Sequence, residues 1–187
     1  MTLFYIFRHG QTDFNVNHTI QGQKFDPSLN DNGKKQAEFL AQKLKDVKFD
    51  LLLSSTQQRA VDTIKAVNKY HNVEVIYDEL LREGCFGDAE GLTEEKAAEK
   101  FADVYQKWLT MKYGDVRFPG GEAQNEIADR IFKVLNRYTG KNLQNVGVAT
   151  HSDVICAMLM RLGVIKSYIE NGDVIVLEHN AGKFTIK

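Results

Sequence analysis

Proline and cysteine each occur only twice in this chain of 187 residues. No Pro/Gly/Ser-rich stretch, low-complexity segment or fixed-period repeat divides it. Without a linker, the length fits one domain over residues 1–187, with room for a sizeable core. Cys85 and Cys156 lie far apart and lack metal-type spacing, which excludes a disulfide framework. No apolar run approaches the roughly 20 residues that a membrane helix needs. The opening MTLFYIFRHG carries no basic leader, and its apolar run is too short for a signal peptide. Charge of one sign is missing too: 24 Lys and Arg against 25 Asp and Glu leave a net charge of −1. That balance argues against nucleic acid and anionic membranes as partners, so any positive site must be a local concentration. The expected setting is reducing and cytoplasmic.

What is present is a globular composition, 43% hydrophobic and 26% charged, with strand and helix patterns in alternation. Leu3 to Phe7, "FDLLLSS", "VEVIY" and "NVGVAT" read as apolar strands covered on both faces. Between them, "NDNGKKQAEFLAQKLKD", "TQQRAVDTIKAVNKY" and "EIADRIFKVLNRY" carry apolar residues at helical spacing, the first capped by Asn30 or Asp31. "SDVICAMLMRL" reads as a helix stopped by Gly163, and "DVIVLEH" with "KFTIK" as a closing hairpin. Residues 10 to about 29 are polar and show no clear element. The region of about 78–121, with "TEEKAAEKFADVYQKWL" as a helix or helix pair, reads as a small cap over one edge. The fold class is therefore α/β: a three-layer sandwich whose mostly parallel sheet has helices on both faces. In such sheets ligands bind beyond the carboxyl ends of the strands.

That rule gives meaning to Arg8-His9-Gly10, which ends the first strand. "VGVATHS" repeats the arrangement with His151, and "LLLSSTQQRA" places Arg59 in the first turn after the second strand. Parallel strands emerge on one edge, so Arg8, His9, Arg59 and His151 can meet there. Cations and donors gathered this way suit an anion, and arginine forks suit phosphate best. Asn15 could add a donor. The two arginines favour an uncharged imidazole, which is a nucleophile toward phosphorus. A carboxylic acid of raised pKa could protonate the leaving oxygen and later activate water; the nearest candidate is Glu83 in "LLREGCFGDAEG". Each residue also has an ordinary reading. His9 could be a structural histidine or a metal ligand, and His151 or Asn15 a cap. Arg59 could be solvated and Glu83 a surface salt bridge.

Taken together these residues resemble the histidine phosphatase superfamily, which includes the cofactor-dependent phosphoglycerate mutases. The likeness runs nearly end to end: Arg8-His9-Gly10, Asn15, Gln21-Gly22, "SSTQQRA", "LREGCFGDAEG", "PGGE" at 119–122 and "ATHSD". The resemblance implies a phosphoglycerate mutase-like fold, His9 as the residue that becomes phosphohistidine, and Glu83 as proton donor. It implies a phosphate clamp of Arg8, Asn15, Arg59 and His151, with Gln21, Gly22 and Ser152 near the substrate. No metal and no organic cofactor are implied. The partners implied are a small phosphorylated metabolite and inorganic phosphate as product. Ser152 stands where the family commonly has glycine, and Gly121-Glu122-Ala123 where "GES" is common. The basic residue often found shortly after the second histidine is missing from "HSDVICAM". Glu83 is followed by Gly84-Cys85-Phe86, without the arginine and tyrosine of the mutases, and the excursion is short for their lid. Hydrolysis of small phosphomonoesters is therefore expected ahead of mutase chemistry or silent phospho-ligand binding. A metal-dependent hydrolase finds no ligand spacing to support it. Most aromatics of the excursion, from Phe86 to Phe118 and including Tyr113, are expected to pack the cap onto the sheet.

Overall fold

A computed structural model describes residues 1–112 and 114–187; Tyr113, one of the cap aromatics named above, lies outside the described residues. Six strands form one sheet in the order β3-β2-β4-β1-β5-β6. Strands β1 (Thr2–Arg8), β2 (Leu51–Ser54), β3 (Val75–Tyr77) and β4 (Asn145–Thr150) are parallel. β5 (Val174–Asn180) runs antiparallel beside β1 and turns back at Ala181-Gly182 into β6 (Lys183–Ile186). The continuous apolar runs follow from burial on both faces. Phe4 and Ile6 of β1 and Leu53 of β2 join one core with Ile127, Ile131, Val154 and Ile155. Phe7 and Leu52 point the other way, against Leu40, Leu44, Ile64 and Val67.

Those cores define two helical layers. α2 (Asp31–Leu44) and α3 (Gln58–Asn68) cover one face, and α6 (Gln124–Asn136) and α7 (Ser152–Arg161) the other. Asn30 caps α2 through its side chain, which accepts from Gly33 N at 2.8 Å. The excursion contains the helix pair α4 (Glu94–Lys100) and α5 (Ala102–Thr110), broken at Phe101, whose backbone leaves the helical region. Inside the polar stretch lies α1 (Asp13–Val16), a single turn too short to show a period. Single 3-10 turns at Glu79–Leu81 and Gly87–Ala89 flank Glu83. No helix among the described residues is long and apolar enough to cross a membrane.

The register positions the site. Arg8 pairs with Thr150 across β1 and β4, and Ser54 with Ala149 across β2 and β4. His9 and His151 therefore leave the sheet side by side, with Ser55 one step behind them, level with Thr150. A close crossing fixes the loop after β1: a Cβ on Gly33 would lie 2.0 Å from the Gln11 carbonyl oxygen, and one on Gly10 2.3 Å from that of Gly33. Only glycines allow the start of α2 to press there.

Candidate active site

His9 is 1% exposed, and its Nδ1 lies 2.6 Å from the carbonyl oxygen of Gly10. Only a protonated Nδ1 can make that bond, which leaves the Nε2 lone pair unprotonated. The ring of His151 lies 5.1 Å away, centroid to centroid, at 62°. His151 Nε2 and Ser55 Oγ share a 2.9 Å hydrogen bond, and His151 Nδ1 is buried without a partner. Burial, then Arg59 and Arg8, hold His9 well below its ordinary pKa; burial, Arg59 and His9 do the same to His151. Both rings are uncharged near neutrality. His151 does not cap α7 with its side chain.

Two buried guanidinium groups flank the pair. Arg8 donates through Nη1 to the Ile169 carbonyl and stacks on Tyr168, 4.6 Å from the ring centroid. Arg59 is fully buried rather than solvated, and donates to the carbonyls of Gly22 (3.1 Å) and Phe25 (3.3 Å), with Asp26 at 3.7 Å. Burial outweighs the nearby carboxylates and brings its pKa down to about 10, which still leaves it charged. The Nε of Arg8 and of Arg59 are buried without partners. With His151 Nδ1 these are three unpartnered nitrogens on one sheet edge, and unpaired buried polar atoms are costly enough to point to a ligand.

Glu83 is 7% exposed and accepts from Gly84 N at 2.9 Å. Burial first, then the Asp153 carboxylate, push its pKa up to about 7 against the pull of Arg59. Its backbone is held firmly. Gln57 Oε1 accepts from Glu83 N at 2.8 Å, while Gln23 (2.8 Å) and Arg130 (2.9 Å) donate to the Glu83 carbonyl. Arg130 also donates to the carbonyls of Leu80 (2.8 Å) and Arg82 (2.5 Å), and pairs with Glu122 at 3.0 Å. Glu122 in turn accepts from Cys85 N at 2.8 Å.

Arg8, Asn15, Gln21, Gly22, Glu83 and Ser152 line a cavity of about 510 Å³; His9, Arg59 and His151 are buried and are not among the residues that line it. Asn15 both lines the cavity and closes a capping box with Thr12 on α1. The side chain of Gln21 accepts from Thr12 Oγ1 at 3.1 Å. Gly22, at φ +54°, offers its carbonyl to Gln57 and Arg59. Ser152 Oγ accepts from Ile169 N at 3.1 Å, so its hydroxyl ties α7 to the segment that holds Arg8. Ala123 has no capping side chain, and Glu126 takes its N–H at 2.8 Å instead.

Sequence reasoning missed Gln57, Arg130, Asp153 and the segment 168–171. Trp108 Nε1 donates to Asp153 at 2.9 Å, and Asn171 Nδ2 to the His9 carbonyl at 3.0 Å. Only Asp153, two residues past His151, carried a positional signal. The cap aromatics do two things at once. Phe86, Trp108 and Phe118 are buried in mutual ring contacts, and together with Tyr105 they also line the cavity.

A mixed α/β sandwich with paired imidazoles at the carboxyl edge of its sheet has the architecture of the phosphoglycerate mutase-like proteins. The structure superposes on that of a mycobacterial glucosyl-3-phosphoglycerate phosphatase with a TM-score of 0.91 at 24% identity, covering 100% of this chain and 98% of that one. A metal-independent phosphoserine phosphatase of Arabidopsis thaliana is 33% identical over 87% of this chain and 69% of its own length. A phosphoglycerate mutase of Schizosaccharomyces pombe is 30% identical over 86% of this chain and 79% of its own. The sequence profile of the histidine phosphatase superfamily (branch 1) matches residues 4–187, and the chain belongs to that family.

Proposed function

We propose that this chain is a single catalytic domain, capped by its 78–121 excursion, that hydrolyses small phosphomonoesters without a metal. The observation that carries the reading is the uncharged His9 ring: Nδ1 is engaged with Gly10, Nε2 is free to attack, and unpartnered guanidinium nitrogens lie beside it. In the first step His9 Nε2 forms a bond to phosphorus, the ester P–O bond breaks, and Glu83 gives its proton to the leaving oxygen. In the second, water gives a proton to the Glu83 carboxylate as its oxygen attacks phosphorus. The P–N bond breaks, releasing inorganic phosphate and restoring both residues. Arg8, Arg59 and His151 bind and neutralise the phosphoryl oxygens as charge builds, with Asn15 beside them. Gln21 faces the substrate, while Gly22 and Ser152 hold Arg59 and Arg8 in place.

Hydrolysis is favoured over a mutase role by the cavity wall. A mutase must grip a second phosphate and a carboxylate, yet Arg8 is the only lysine or arginine among the described residues of that wall. The presence of both His9 and Glu83 speaks against a silent binding relative. The free thiols of Cys85 and Cys156 support a reducing, cytoplasmic setting. The test is a pair of assays on 3-phosphoglycerate and p-nitrophenyl phosphate, with and without EDTA. Phosphate release that exceeds phosphoryl transfer and survives chelation is expected. Transfer outrunning hydrolysis, or activity abolished by EDTA and restored by metal, contradicts the proposal.

A further inference from the structure

An uncharged imidazole carries one N–H and one lone pair, and the two nitrogens of His151 meet different surroundings. Nδ1 is buried without a partner, on the edge that also holds the unpartnered Nε atoms of Arg8 and Arg59. Nε2 lies 2.9 Å from Ser55 Oγ. The distance does not say which of that pair donates, but the surroundings of Ser55 do. Ser55 directly follows β2, is fully buried, and its Oγ already accepts from Gln57 N at 3.2 Å. The hydroxyl has a hydrogen to place, and among the described residues Nε2 of His151 is the one acceptor it meets. If Nε2–H donated instead, two buried atoms would go unmet, the serine hydrogen and the Nδ1 lone pair. With the serine donating, only Nδ1–H is unmet, and a bound phosphoryl group brings the acceptor it lacks.

We infer that Ser55 is a positioning residue: its hydroxyl donates to Nε2 of His151 and so fixes the tautomer that turns Nδ1–H toward the phosphoryl oxygens. This rests on the phosphatase reading above and adds a residue outside those named for it. The ring then meets the growing negative charge as a neutral donor, and the burial that keeps His151 uncharged does not weaken that role. The opposite tautomer would aim a lone pair at the anion.

The test begins with the unsubstituted protein carrying 15N-labelled histidine. Proton–nitrogen correlations within the ring tell a protonated nitrogen from a bare one, and His151→Gln assigns the signals by removing them. His151 is expected to be protonated at Nδ1 and bare at Nε2 near neutrality. Ser55→Ala should release the ring to a mixture of tautomers. It should also lower kcat/KM about ten- to hundredfold, the range for losing a hydrogen bond to a charged group. That loss should be equal on 3-phosphoglycerate and p-nitrophenyl phosphate, because His151 meets the phosphoryl group and not the leaving oxygen. Ser55 also holds Gln57, which accepts from Glu83 N, and an effect relayed along that chain would fall on the alkyl ester alone. An unsubstituted ring protonated at Nε2 overturns this inference and spares the phosphatase reading. So does a Ser55→Ala protein whose p-nitrophenyl phosphate turnover is intact. The first measurement needs no variant that must fold. A protein that hydrolyses no ester overturns both.

Discussion

Burial penalises whichever form of a group is charged, so the same dry floor drives His9 to its basic form and Glu83 to its acidic one. A nucleophile and a proton donor can then coexist near neutrality. In the proposed mechanism Glu83 must carry a proton to serve the leaving oxygen, so kcat/KM for alkyl phosphates should fall as pH rises through about 7. Glu83→Gln should remove that limb and slow alkyl esters by about a hundredfold or more. p-Nitrophenyl phosphate, whose leaving group needs little protonation, should suffer far less; equal losses on both would refute the role. Stability gives a second readout. The folded pKa of Glu83 lies above its ordinary 4.5, so ionisation costs the folded state. Stability contributed by the protonated group is complete below pH 4.5 and is lost as pH rises toward about 7. In thermal melts, Glu83→Gln should gain on the unsubstituted protein across that window and show no gain below it.

Two elements set the site without touching substrate. The Gly10–Gly33 crossing seats α2 against the loop that carries His9. Gly33→Ala should cost about 1–3 kcal/mol of stability, the usual penalty for forcing atoms into a closed contact; unchanged denaturation midpoints would contradict it. On the opposite side Arg130 gathers the carbonyls of Leu80, Arg82 and Glu83 and is itself held by Glu122. Arg130→Ala should therefore loosen the Glu83 loop, lowering kcat/KM on alkyl esters at least tenfold, an effect typical of misplacing a reacting group. Arg130→Lys, which keeps the charge but loses the planar fork, should not restore it. Neither contact could be read from sequence. The long helices and strands were legible because a period of 3.6 or a continuous apolar run marks burial, as in Leu40, Ala41 and Leu44 or in Leu51 to Leu53. One-turn elements such as Asp13–Val16 have no period to show. The segment 168–171 owes its place to where the chain returns to the sheet after α7, a tertiary fact with no local mark.

Across the whole molecule, the strand-end rule and the parallel order suffice to bring His9, His151, Arg8 and Arg59 to one edge. They could not say that Ser152 would turn to a backbone N–H, nor that the cap aromatics would both pack and line the cavity. Those outcomes depend on which side chains fill the space between layers. With an overall charge near zero, the proposed phosphate site is a local concentration of cations, and ligand linkage should reveal it globally. Inorganic phosphate at a hundredfold excess over its Kd should stabilise the fold by about 2.7 kcal/mol. For a chain of this size that raises Tm by roughly 5–10 °C, and the rise should be lost in Arg59→Ala. A phosphate-dependent rise that persists there would remove Arg59 from the site. The most direct measurement of all is to mix enzyme with excess substrate, quench in base within the first turnover, map the phosphorylated residue by fragment mass spectrometry and assign its ring nitrogen by 31P NMR. The account predicts one phosphoryl group on Nε2 of His9 and none in His9→Ala; a label on any other residue, or on His9 Nδ1, would contradict it.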